Sequence, residues 1–259
     1  MELDLDTLHE AEKVLIPDSF NLLKLAYEMS KSPKKEFVSY TLQDRSNRAW
    51  NCISFEGINC SGKSTQSSII LRNNKNSQIQ KFQKEEDLIP FKILKASIAG
   101  RGLKDYDPLT WSLIFSSLYL QRLSRLDKRK IYLMDRGIDT SVVLQTRRLE
   151  LLGLGAYDSI SWLLNLISPN QSYMGTFYLE LDSEEAISRR KKRGDNQERT
   201  SSLSEKRSFL EDQIRLYNYL DTHFNRMYVR YSANESINEL SARIQAKINE
   251  MINLSEKHI

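Results

Sequence analysis

Cysteine is nearly absent from this 259-residue chain: Cys52 and Cys60 are the only two, too few for a disulfide framework. Three scattered histidines, His9, His223 and His258, offer no metal cluster. Long apolar runs are missing as well. The longest, around Trp111 to Leu120, is broken by serines and falls short of the roughly 18 residues that a membrane span needs. Charge of one sign is not in large excess, since 38 basic residues face 34 acidic ones. The net charge of +4 permits anionic ligands but does not by itself argue for nucleic acid. The opening MELDLDTLHEAE is acidic, unlike a secretory signal or an Arg-rich transit peptide. These absences lead us to expect a reducing, cytoplasmic setting, no membrane partner and no specific nucleic-acid binding.

What is present is the balance of a globular protein able to bury a core, 40% hydrophobic and 28% charged. The length suits one large domain, or one domain with an extension. Residues 1 to about 36 show mixed helical spacing, with Pro17 expected to break it. Ser32 to Glu36 reads as a polar linker, and Val38, Tyr40 and Leu42 alternate in strand fashion. Residues 1–48 are therefore read as a mostly helical N-terminal extension and residues 49–259 as the core domain.

Within the core, strands are expected at Ala49 to Phe55, Ile79 to Phe82, Lys130 to Met134, Thr176 to Leu181 and Met227 to Tyr231. Helices are expected at Ser64 to Leu71, Pro90 to Ser97, Pro108 to Arg125, Asp139 to Leu152, Tyr157 to Ile167, Ser183 to Lys192, Leu203 to Phe224 and Ile237 to Asn253. Strands alternating with helices predict an α/β fold, a parallel sheet covered on both faces.

The strongest signal is Gly57-Ile-Asn-Cys-Ser-Gly62-Lys63-Ser64, a complete G-x-x-x-x-G-K-S between an expected strand and an expected helix. Phosphates concentrate negative charge and need convergent donors. A glycine-rich turn points backbone N–H groups inward, and the following helix adds its positive N-terminal end. Gly57, Asn59, Cys60, Ser61, Gly62, Lys63, Ser64 and Thr65 are thus the candidate nucleotide-binding residues. Lys63 would reach the β- and γ-phosphates of a nucleoside triphosphate such as ATP, and the Ser64 hydroxyl would coordinate Mg²⁺.

Phe55 to Gln66 (FEGINCSGKSTQ) resembles the first motif of thymidylate kinases, F-E-G-x-D-G-x-G-K-[ST]-T-Q. Asp135-Arg136-Gly137-Ile138-Asp139-Thr140-Ser141 with Gln145 is similar to the family's D-R-Y-x-x-S-S segment and its later Gln. Gly153-Leu154-Gly155, Trp162-Leu163 and Tyr178 to Asp182 follow the same pattern, as do Arg189, Arg193-Gly194, Glu198-Arg199, Phe209 and Tyr217. The similarity runs in order over residues 50–250. It implies a three-layer P-loop kinase fold with a central parallel sheet, ATP and Mg²⁺ as cofactors, a small-molecule phosphoryl acceptor, and a homodimer.

The residues also carry their own chemistry. Asp135 ends a strand at the carboxyl edge of the sheet, where α/β ligand sites open. There it can hold Mg²⁺ or accept a hydroxyl proton, while Arg136 can grip a phosphate bidentately. A simple helix-capping turn is the alternative. The run Arg189 to Gly194 reads by default as a solvated helix end; in a phosphoryl-transfer enzyme it reads as a lid, with Arg189, Arg193 and Arg199 as the best cations and Arg190 behind them. For Phe115 the resemblance implies stacking on a base, against an ordinary core role. Gln145 can offer a donor and an acceptor to a base edge, or simply face solvent. At Ser232-Ala233-Asn234 the resemblance implies backbone contact with adenine.

Four departures from the family pattern fall on the acceptor side. Asn59 stands where the family carries Asp, and no R-E-P-G-G-T segment lies between Arg72 and Gly100. Lys81, Lys84 or Arg101 are the available substitutes for its phosphate-holding Arg. Tyr119 occupies the place of an expected Arg, with Arg122 about one turn on, and Gly137 replaces an aromatic. Tyr119 and Arg122 are accordingly acceptor candidates together with Phe115 and Gln145. The first reading is an ATP-dependent kinase of a nucleoside monophosphate, most simply dTMP. The alternatives are a kinase of a nucleoside or other small hydroxyl compound, and a catalytically silent ATP-binding interaction protein.

Overall fold

Five short runs of alternating or apolar residues form one parallel sheet in a computed structural model that describes residues 2–32, 36–40, 50–74, 79–82, 88–96, 106–127, 129–167, 173–193 and 203–256. The strands are β1 (Trp50–Glu56), β2 (Ile79–Lys81), β3 (Ile131–Asp135), β4 (Tyr173–Glu180) and β5 (Val229–Ser232). Their order is β2-β3-β1-β4-β5, and every pairing is parallel. The helices are α1 (Leu5–Val14), α2 (Pro17–Lys31), α3 (Lys63–Asn73), α4 (Ile89–Ala96), α5 (Pro108–Ser124), α6 (Ile138–Glu150), α7 (Ala156–Ile167), α8 (Ser183–Lys192), α9 (Leu203–Phe224) and α10 (Ile237–Glu256). The chain separates into two compact units, one holding the sheet and one helical.

The sheet unit comprises Ala49–Phe82, Lys128–Thr140 and Ser172–Ile259. Because successive strand residues point to opposite faces, β1 sends Ile53 and Phe55 one way and Ser54 and Glu56 the other. Ile53 and Phe55 join Leu133, Phe177, Leu179, Ile70, Ile244 and Ile248 in a core against α3 and α10. On the opposite face, Ser54 Oγ donates to Thr176 Oγ1, and Tyr178 packs on Tyr217 of α9, with ring centroids 5.1 Å apart. Helices thus flank both faces, as the strand–helix alternation predicts.

The helical unit comprises Met1–Arg48, Gln83–Asp127 and Ser141–Gln171. Pro17 does not merely interrupt the N-terminal helix. It starts α2, where its fixed φ suits the first helical position and its missing N–H costs nothing. Leu22, Leu23, Ala26 and Met29 of α2 are buried, and α2 packs on α5. At their crossing, Ser19 Oγ donates to the Ser117 carbonyl and Ser117 Oγ to the Ser19 carbonyl, each at 2.8 Å. Most apolar positions of the first 31 residues therefore pack within this unit, while Leu5 and Val14 are exposed.

The strand expected around Val38 does not form over residues 37–40. Its groups are used singly: the Val38 carbonyl accepts from Trp162 Nε1 at 2.8 Å, Phe37 packs on the Trp162 ring, and Tyr40 donates to Asp18. Leu42 lies outside the described residues.

Candidate phosphate-binding site

At the end of β1 the chain must turn sharply to feed α3. Gly57 has φ +132°, and a Cβ there would lie 2.6 Å from the Leu179 carbonyl oxygen, so glycine is required by conformation and by space. Cys60 (φ +68°) and Gly62 (φ +94°) complete the loop. Gly62 caps α3 without a side-chain hydrogen bond, and the first turn of α3 carries no acid. The leading N–H groups and positive end of the helix are therefore available to an anion.

Lys63 curls back under this loop. Its Nζ donates to the carbonyls of Gly57 (2.8 Å) and Ile58 (2.6 Å) and to Ser61 Oγ (3.2 Å), and the residue is only 4% exposed. Burial, followed by the nearby Arg136 charge, pushes the ammonium down to about 7, while Glu56 and Asp135 act in the opposite direction. Arg136, just beyond β3, adopts φ +84°, a conformation that costs a non-glycine residue about 1–3 kcal/mol. Its Nη2 donates to Asn59 Oδ1 at 2.7 Å.

A cleft of about 270 Å³ opens over the loop, lined by Asn59, Cys60, Gly62, Lys63, Ser64, Thr65, Arg136, Arg190 and Arg193. Among the described residues the lining holds the cations Arg136, Arg190 and Arg193 and no carboxylate, with the Lys63 side chain turned under the loop, a charge pattern that fits a polyphosphate. Ser64 is exposed at the start of α3 and Asp135 at the end of β3. Among the described residues no group of three or more His, Cys, Asp or Glu side chains could hold a metal by protein ligands alone. Mg²⁺ asks less, one or two protein oxygens with the remainder from phosphates and water, and Ser64 and Asp135 are hard ligands of that kind.

Of the lid cations read from the sequence, Arg193 lines the cleft. Arg189 is engaged elsewhere, pairing with Glu185 (2.8 Å) and donating to the carbonyls of Cys60 (3.4 Å) and Ala233 (2.9 Å) and to Asn234 Oδ1 (3.0 Å). It ties the loop to the turn after β5, and its neighbour Arg190 supplies the cleft. Arg199, Lys84 and Arg101 lie outside the described residues; Lys81 is exposed on β2.

Behind the loop is a layer that the sequence reading did not find. Glu56 is fully buried and accepts from the Gly137 N–H (2.8 Å), Thr140 Oγ1 and Tyr217 OH (3.1 Å). Burial and the Asp139 charge push its carboxyl up to about 7. Asp139, also fully buried, accepts from both Arg226 Nε and Nη2 and from Tyr228 OH. The one available signal was a carboxylate on the same strand face as Ser54; the partners of Asp139 lie 87 and 89 residues away.

Phe115, Tyr119, Arg122 and Gln145 lie in the helical unit, on α5 and α6. Phe115 is half-buried against Trp111, centroids 5.9 Å apart, and the Arg122 guanidinium lies 5.8 Å from the Tyr119 ring centre. Gln145 is buried rather than solvent-facing, and its Oε1 has no hydrogen-bond partner. Trp111 Nε1, Ser116 Oγ, Thr146 Oγ1, Arg148 Nη1 and Ser159 Oγ are likewise buried and unpaired. The Arg148 guanidinium sits 5.4 Å over the Trp111 ring.

No helix among the described residues is long and apolar enough to cross a membrane. No curated protein matches the chain. Among solved structures, it is similar to a deoxyadenosine kinase from M. mycoides with dCMP and a flexible dCDP bound. That similarity has a TM-score of 0.54 at 18% identity and covers 77% of this chain and 99% of that one, which shows a shared fold. Residues 55–244 match the thymidylate kinase family, and with most of its length inside that match the chain belongs to this family of phosphotransferases.

Proposed function

We propose that the protein is an ATP- and Mg²⁺-dependent kinase that transfers the γ-phosphoryl group to a nucleoside monophosphate, most simply dTMP. The cleft over the glycine loop, whose described lining holds Arg136, Arg190 and Arg193 and no carboxylate, is the observation that supports this reading. Loop N–H groups and Lys63 bind and orient the triphosphate. Arg136 and Arg193, with Arg199 from the lid, offset the charge that spreads over the transferring oxygens. Ser64 and Asp135 would hold Mg²⁺, which would supply positive charge against the developing charge on the phosphate oxygens. On the acceptor side, Phe115 offers a ring face and Gln145 an unpaired amide oxygen, with Tyr119 and Arg122 alongside on α5.

A nucleoside or other small hydroxyl compound is the second reading of the acceptor. Tyr119 stands in place of an arginine, no R-E-P-G-G-T segment lies between Arg72 and Gly100, and Arg136 is already held by Asn59, so the acceptor-side cations of the family are depleted here. The structural neighbour is itself a nucleoside kinase.

Mg-ATP consumption against a panel of nucleoside monophosphates, nucleosides and no acceptor tests both readings. Transfer to dTMP supports the first, and transfer to thymidine or another nucleoside supports the second. Tight ATP binding without transfer to any acceptor overturns both and leaves an ATP-binding interaction protein.

A further inference from the structure

We propose that Glu56 is a positioning residue that holds Arg136 in the conformation aimed at the phosphate loop. The inference rests on the proposed role of that loop and goes beyond it, because Glu56 is buried and both of its carboxylate oxygens are already bonded to the chain. Its carboxylate joins three pieces of chain: the end of β1, the turn after β3 through the Gly137 N–H, and α9 through Tyr217. Thr140 Oγ1 bonds both Glu56 and the Tyr217 hydroxyl, so the carboxylate is itself fixed.

The consequence for Arg136 follows from the peptide planes on either side of its Cα. The Arg136 N–H donates to the Phe55 carbonyl at 3.2 Å, and the next amide, Gly137, donates to Glu56 Oε1 at 2.8 Å. Both planes are thereby tied to β1, which sustains the left-handed φ of +84° that an arginine would otherwise leave. In that conformation the guanidinium reaches Asn59 across the cleft.

Gly137 belongs to the same device. A Cβ at this position would lie 2.6 Å from Glu56 Oε1 and 2.8 Å from Ser54 Cβ. The carboxylate can approach the amide only because residue 137 has no side chain. The aromatic residue of the family pattern is thus replaced by the one residue that admits this contact.

The test is a mutant cycle read by two assays: calorimetric binding of inorganic triphosphate, and kcat and KM for Mg-ATP with the acceptor found active. Glu56→Ala should weaken triphosphate binding about 10-fold and lower kcat more than it raises KM. In an Arg136→Ala background the same change should add less than about 2-fold, since the residue it acts through is gone. Glu56→Gln keeps an acceptor for the Gly137 amide and should stay within about 3-fold of the parent. Gly137→Ala should reproduce the Glu56→Ala loss, and again only while Arg136 is present. Should Glu56→Ala fail to fold, the Gln and Gly137→Ala variants carry the cycle alone.

Losses at Glu56 and Arg136 that multiply overturn the proposal, as does Glu56→Gln behaving like a full deletion. A parent protein that binds triphosphate but transfers to no acceptor leaves the binding cycle to decide. A parent protein that binds no triphosphate overturns the loop reading itself, and the positioning role with it.

Discussion

In the sheet unit, the buried carboxylates of Glu56 and Asp139 each accept hydrogen bonds from several donors, and Lys63 is satisfied by two carbonyls and a hydroxyl. In the helical unit, Trp111 Nε1, Ser116 Oγ, Gln145 Oε1, Thr146 Oγ1, Arg148 Nη1 and Ser159 Oγ are buried without a partner. Buried polar groups in folded proteins are nearly always paired, so the contrast carries information. The buried polar groups named in the sheet unit are satisfied by the chain alone. The helical half holds polar capacity that only a ligand or ordered water completes.

The comparison can be broken at several points. The largest effect belongs to Lys63→Ala, expected to lower transfer by about 10³-fold at unchanged circular dichroism, because the loop is held by Gly57 and the helix cap as well. Full activity in a folded variant would remove the loop from the mechanism. Next is Arg226→Ala, which strands the buried Asp139 carboxylate and should cost about 3 kcal/mol in denaturant unfolding.

Stability against pH comes third. Glu56, raised from 4.5 to about 7, binds its proton more tightly when folded, so its contribution is full below pH 4.5 and is lost as pH rises to 7. Lys63, lowered from 10.5 to about 7, sheds its proton more readily when folded, so its contribution grows as pH rises from 7 to 10.5. The two together place a minimum near neutral pH, with slopes of at most about 1.4 kcal/mol per pH unit. Unfolding curves of Glu56→Gln should lose the acidic arm only.

The smallest effect sharpens the contrast most. Thr146→Val removes an unpaired hydroxyl at nearly constant shape and should stabilise the ligand-free protein by about 1 kcal/mol; Tyr217→Phe removes a paired hydroxyl and should destabilise it by a similar amount. Equal signs in thermal melts would erase the distinction between the units.

The sequence made the loop legible because its signal is local: Gly57, Gly62, Lys63 and Ser64 sit within eight residues, and their spacing is the geometry. The strands and helices of the core were also legible, since alternation and helical spacing are short-range patterns. The reading failed where partners are distant. Val38 and Tyr40 alternate like a strand but are claimed singly by Trp162 and Asp18. Glu56 appeared only as a motif letter, because its meaning depends on Gly137 and Tyr217, 81 and 161 residues away. Arg189 and Arg190 are adjacent and alike in sequence, and only the turn at Ala233 distinguishes the tether from the cleft residue.

The two cysteines have a practical consequence. Cys52 is fully enclosed in β1, and burial pushes its thiol up to about 12, so it stays protonated and shielded from alkylation. Cys60 is part-exposed in the lining of the cleft. A maleimide should therefore add a single label per folded chain, at the loop, and the rate at which ATP slows that labelling would report occupancy without requiring turnover.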